Sequence, residues 1–63
     1  MQNKPLSMTL IRQDVDVAAV IEYSNASNRA AFVKDFVQDR YGAASPLVVT
    51  MAKIAFREAV DMH

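Results

Sequence analysis

Sixty-three residues, 52% of them apolar, with seven Lys and Arg set against seven Asp and Glu, describe one small domain of no net charge. At this length only about 60% of the chain's surface is buried on folding, which leaves room for one small core and no deep cleft. Balanced charge excludes a global field toward nucleic acid or an anionic membrane, and the lack of cysteine excludes a disulfide framework and a thiolate metal site.

One glycine, Gly42, and two prolines point to long uninterrupted elements, so the expected class is all-α. Residues 1–13 form an N-terminal arm, within which the alternation Ser7-Met8-Thr9-Leu10-Ile11-Arg12 predicts an extended piece or a brief strand. Asp14 can cap the next helix, Asp16 complements its dipole, and Val17, Val20 and Ile21 form its apolar face, which predicts a helix over 14–23. A tight turn at Ser24-Asn25-Ala26-Ser27 follows, with Ser27 as N-cap of a second helix over 28–41 that stops at Gly42. Its apolar arc holds Ala30, Phe32, Val33, Phe36, Val37 and Tyr41, with Lys34, Asp35, Gln38 and Asp39 opposite. Arg29 and Arg40 project on the aromatic side. Either their stems cover apolar surface while their heads reach water, or they flank an interface and pair there with a carboxylate or phosphate.

Ser45 caps a third helix over 46–62, with Pro46 in its first turn, where a missing N–H is harmless. Its polar side chains Thr50, Lys53, Arg57 and Asp61, with Glu58 beside them, fall on one narrow stripe, and almost everything else is apolar. Such a pattern predicts a helix buried on most of its circumference. The expected architecture is a small three-helix domain, 1–63, with the second and third helices as a hairpin and the first packed across them. Three helices cannot surround the last one, so its surplus apolar surface calls for a second copy or a partner protein. A homodimer is expected, with Leu47, Met51, Ile54, Ala55, Phe36 and Arg40 at the interface.

The side chains for catalysis are missing. The only histidine, His63, is the last residue, and the serines at 7, 24, 27 and 45 have turn and capping roles, so no hydrolytic triad can be assembled. One glycine cannot make a phosphate-cradling loop. Asp35 and Asp39 share a helix face at four-residue spacing, as a general acid and base would, but without a pocket to desolvate them they read as solvated charges beside Lys34. The expectation is a non-enzyme with no cofactor, metal or small-molecule substrate. The apolar runs Val17–Ile21 and Pro46–Val49 are too short for a signal-peptide core or a membrane span, which makes the cytoplasm the default address.

The segment Asp16-Val17-Ala18-Ala19-Val20-Ile21-Glu22-Tyr23-Ser24-Asn25-Ala26-Ser27-Asn28-Arg29-Ala30-Ala31 resembles a helix-turn-helix. With Ala18 as the small residue of the first helix, Val17, Ile21, Tyr23 and Ala31 fall at positions that are usually buried. Asp16-Val17-Ala18 and Tyr23-Ser24-Asn25 also look like the DNA-binding domains of some phage antirepressors. Two positions depart from the pattern: Glu22 stands where the turn usually has glycine, and Asn28 replaces an apolar residue. The resemblance implies base-edge or phosphate contact by Asn25, Ser27, Asn28 and Arg29, with Lys34 on the DNA backbone. Against it stand three carboxylates in 14–23 and two more on one face of the recognition helix.

A weaker likeness sets Met8 to Arg12 as a strand paired across a dimer, with Ser27-Asn28-Arg29-Ala30 resembling the second helix of ribbon-helix-helix repressors. Two functional expectations remain. One is a small dimeric bacterial or phage regulator that binds DNA. The other is a protein-binding module that inhibits or adapts a larger protein, with Phe32, Phe36 and Tyr41 beside Arg29 and Arg40 supplying the residue types that dominate binding hot spots. If both phenylalanines are simply core, that aromatic patch is internal. No face sets Lys and Arg against an apolar one, so a membrane surface is not the expected partner.

Overall fold

In the computed structural model, which describes residues 7–42 and 44–62, the chain is all-α, with four helices rather than three: α1 (Met8–Asp14), α2 (Val17–Asn25), α3 (Arg29–Tyr41) and α4 (Pro46–Asp61). The additional helix is α1, in place of the expected arm or strand; residues 1–6 of that arm lie outside the described residues. Its physical basis is a helical spacing inside the apparent alternation. Met8, Ile11 and Val15 recur at three and four residues and turn inward together, Ile11 becoming fully buried. The Ser7 hydroxyl accepts the Leu10 N–H at 3.3 Å and caps the start. With 8–12 helical, the ribbon strand is ruled out.

The boundary of α2 differs from expectation for a related reason. Asp14 ends α1 instead of starting α2, and Asp16 is the cap, its Oδ1 accepting the Ala19 N–H at 2.9 Å. Similarly, α3 is capped by Asn28, whose Oδ1 accepts the Ala31 N–H at 3.0 Å, and not by Ser27. Asn28 and Ser27 are both sound caps, so the turn geometry decides between them. Two sequence signals are met directly. Gly42 closes α3 at φ 77°, in the left-handed region open to glycine, and Ser45 with Pro46 starts α4, the Ser45 hydroxyl accepting the Val48 N–H at 3.3 Å.

Helix α4 is the hub, packing against α1, α2 and α3, while α2 also packs on α3. The core joins Ile11, Ala19, Val33, Val37, Ala52, Ala55 and Phe56. At its centre Phe56 stacks on Tyr23 at 4.8 Å between ring centroids and meets the edges of Phe32 at 5.6 Å and Phe36 at 5.0 Å. Tyr23 therefore takes the place in the aromatic cluster that the sequence suggested for Tyr41. Tyr41 instead donates its hydroxyl to Asp14 Oδ2 at 2.6 Å, tying the end of α1 to the end of α3.

Three burial expectations are corrected. Helix α4 buries Ala52, Ala55 and Phe56, half-buries Val48, Val49, Met51 and Ala59, and leaves Leu47 and Ile54 in water at 68% and 47% exposure. It is not buried on most of its circumference. Helix α2 buries Ala19 and Val20, whereas Val17 and Ile21 are 64% and 55% exposed. Ala30, placed in the apolar arc of α3, is exposed.

Candidate functional site

Helices α2 and α3 meet through the short Ala26-Ser27-Asn28 connection and diverge to leave a groove of about 620 Å³. Its floor is apolar: Ala18 and Ala19 from α2, Phe32 and Phe36 from α3. Both phenylalanines are half-buried, one edge against Phe56 in the core and the other lining the groove, so they are core and surface at once. Asp16 and Glu22 stand on the α2 rim, Asp35 and Asp39 on the α3 rim.

Arg40 closes one end. Its guanidinium lies over the Phe36 ring at 5.0 Å and reaches Asp14 Oδ1 at 3.9 Å. It thus covers an aromatic face, as the first reading has it, and the carboxylate that it meets belongs to the chain's own α1 and not to an interface. Arg29 behaves similarly within the chain: its Nη2 donates to the Ser24 carbonyl at 3.2 Å and its guanidinium lies over Tyr23 at 5.4 Å. Near Arg40, the Tyr41 hydroxyl is held well above the usual phenol range, first by burial and then by its hydrogen bond to Asp14.

The residues nominated for nucleic-acid contact, Asn25, Ser27, Asn28, Arg29 and Lys34, are all exposed and lie at the α2–α3 corner and along the first turns of α3. Two of them are already occupied, Asn28 as a cap and Arg29 on Ser24. Of the positions that the Ala18 register places in the interior, Val17, Ile21 and Ala31 are exposed and Tyr23 is half-buried. The buried pair Ala19 and Val20 is shifted from that register.

The nominated interface residues are also split. Leu47 and Ile54 lie on the outer face of α4, Met51 is half-buried at its border, and Phe36 and Arg40 belong to the groove. Ala55 is only 2% exposed and packs in the chain's own core, so it is removed from the interface set. A second apolar surface was not foreseen as exposed: Val17 and Ile21, beside the buried Val20, line a depression along α2 that ends at Ser24 and Asn25.

The groove was not predicted from sequence, although its parts were visible. Asp35 and Asp39 stood out for their spacing, and Asp16 and Glu22 for the acidity of 14–23, but only the placing of α2 beside α3 brings all four to the two rims of one groove. Among the described residues no group of three or more His, Cys, Asp or Glu converges to hold a metal ion, and no helix is long and apolar enough to cross a membrane. In comparisons with known proteins, no family profile, curated sequence or solved structure matches this chain.

Proposed function

We propose that this chain is a small helical interaction module that binds a larger protein and inhibits or adapts it, with two copies meeting along the outer face of α4. The carrying observation is the apolar surface that its own fold leaves uncovered. Val17 and Ile21 are adjacent on α2 at four-residue spacing, and Leu47 and Ile54 are aligned on α4 at seven, all of them more exposed than buried or nearly so. Side chains of this size on one face favour association, because covering each removes apolar area from water at about 25 cal/mol per Å². Neutral net charge suits a protein partner better than a phosphate backbone.

The DNA-binding reading has one observation in its favour: Asn25, Ser27, Asn28, Arg29 and Lys34 share the exposed α2–α3 corner. The carboxylates along both helices oppose it, since binding DNA depends on neutralising phosphates with cations. Solution mass and a pull-down from a bacterial lysate, with and without nuclease, decide between them. The expected result is a dimer that Ile54→Asp converts to monomer, with partner capture that survives nuclease. Nuclease-sensitive capture, with a steep salt dependence that Arg29→Ala flattens, would restore the DNA reading.

A further inference from the structure

We propose that the groove between α2 and α3 is the docking site for an arginine-bearing segment of a protein partner, gripped by Glu22, Asp35 and Asp39 and seated on Phe32 and Phe36. This rests on the reading of the chain as a protein-interaction module and adds the surface and the chemistry of what it takes. The first argument is the distribution of unpaired charge. Among the described residues the ion pairs are Arg12 with Glu58 and Arg40 with Asp14. Of the carboxylates outside them, Asp16, Glu22, Asp35 and Asp39 all line this groove, and only Asp61 lies elsewhere. Among the described residues the cations outside those pairs, Arg29, Lys34, Lys53 and Arg57, are not part of its lining. A protein of zero net charge thus concentrates negative charge along one apolar floor.

Asp35 and Asp39 also stand one helical turn apart, where like charges weaken an isolated helix. Neither carboxylate is in an ion pair among the described residues, and a cation from outside would relieve the repulsion. Because no three carboxylates converge on a point, a single metal ion does not match the arrangement. An extended occupant does, with cations spaced to meet carboxylates about 6 Å apart along the α3 axis.

The floor selects arginine over lysine. A guanidinium stacks on an aromatic face while its edge donates to carboxylates, whereas an ammonium is a strongly hydrated point charge. The chain itself shows the chemistry at the end of the groove, where Arg40 lies on Phe36 and reaches Asp14. Leucine-like side chains between the arginines would cover Ala18 and Ala19.

The test is titration of the intact protein, at about 150 mM salt where long-range attraction is screened, with a fluorescein-labelled peptide carrying arginine and leucine at four-residue spacing. We expect saturable anisotropy, amide shifts confined to residues 16–22 and 32–40, and no binding by the same peptide with glutamate for arginine. Asp35→Asn combined with Asp39→Asn should weaken binding about tenfold or more, whereas Asp61→Asn should leave it unchanged. All three side chains are exposed, and unchanged circular dichroism would verify that these variants keep their helices. Absence of binding, shifts centred on the outer face of α4, or a double variant within about twofold of the parent would overturn the proposal. If the peptide fails while nuclease-resistant capture persists and Ile54→Asp abolishes it, only the groove assignment is lost. Nuclease-sensitive capture would instead remove the reading beneath it.

Discussion

Along the seam between α1 and α4, Arg12 donates from Nε and Nη2 to the two carboxylate oxygens of Glu58 at 2.9 and 3.3 Å, and Asp14 nearby accepts from Tyr41 and meets Arg40. Between α2 and α3, by contrast, four carboxylates face one groove and none of them is in an ion pair among the described residues. Both regions are largely solvent-exposed, so exposure does not explain the difference. The first region ties α1 and the end of α3 into the fold, and its charges are matched inside the chain. The second leaves its charge and its aromatic floor for something else. On the proposal above, the matched groups act on stability and Glu22, Asp35 and Asp39 on binding, while Asp16 also caps α2.

The contrast breaks first if the shared centre is removed. Phe56 is fully buried and contacts Tyr23, Phe32 and Phe36, so both regions hang on it. Phe56→Ala should cost about 3–5 kcal/mol, against a total stability of roughly 3–9 kcal/mol at about 0.05–0.15 kcal/mol per residue. Urea denaturation should find the variant largely unfolded, with seam and groove lost together. A variant that keeps its helices and melts near the parent would mean that the two regions are held independently.

A smaller effect separates the seam from the groove by pH. The Tyr41 phenol is raised in the folded chain, by burial and by Asp14, relative to about 10 when unfolded. A group raised on folding contributes stability that is complete below its unfolded pKa and is lost as pH rises beyond it, so the domain should weaken above about pH 10. Tyr41→Phe should be less stable near neutrality by about 1 kcal/mol, for the lost hydrogen bond, and its alkaline decline should be shallower. Chemical denaturation between pH 8 and 11 measures both. A parallel pH profile for parent and variant would show that the Tyr41 hydroxyl contributes nothing to the α1–α3 tie.

How far the sequence disclosed this arrangement depends on how local each signal is. Ser45, Pro46 and Gly42 act through their own backbone or the next turn, and each bounds its helix as read. Helix α1 was legible too, in Met8, Ile11 and Val15, but over six residues the alternating pattern was equally good and nothing short of the tertiary contact to α4 decides between them. The outer face of α4 shows a different limit. Leu47 and Ile54 fit a buried stripe as well as an exposed one, because periodicity reports which residues share a side and not how many neighbours that side has. In α2 the interior is set by Ala19, Val20 and Tyr23, a rotation from Val17 and Ile21 that follows from where α3 and α4 approach. The groove was least legible, since it belongs to the angle between two helices and to no single segment.

The smallest expected effect sharpens the comparison most, because its sign is informative. If the groove carboxylates served folding, as Asp14 and Glu58 do, neutralising them would weaken the domain. If they are held in reserve for a partner, the repulsion between Asp35 and Asp39 is an unrelieved cost of function, and relieving it stabilises. Asp35→Asn with Asp39→Asn should therefore raise stability by about 0.2–0.5 kcal/mol, an effect that shrinks as salt screens the charges. Arg12→Ala at the seam should move the other way by up to about 1 kcal/mol, as expected for an exposed but bidentate pair. Paired urea titrations at low and high salt would resolve the two signs. Loss of stability in the groove variant at both salts would place its carboxylates with those of the seam, as parts of the fold and not of a binding surface.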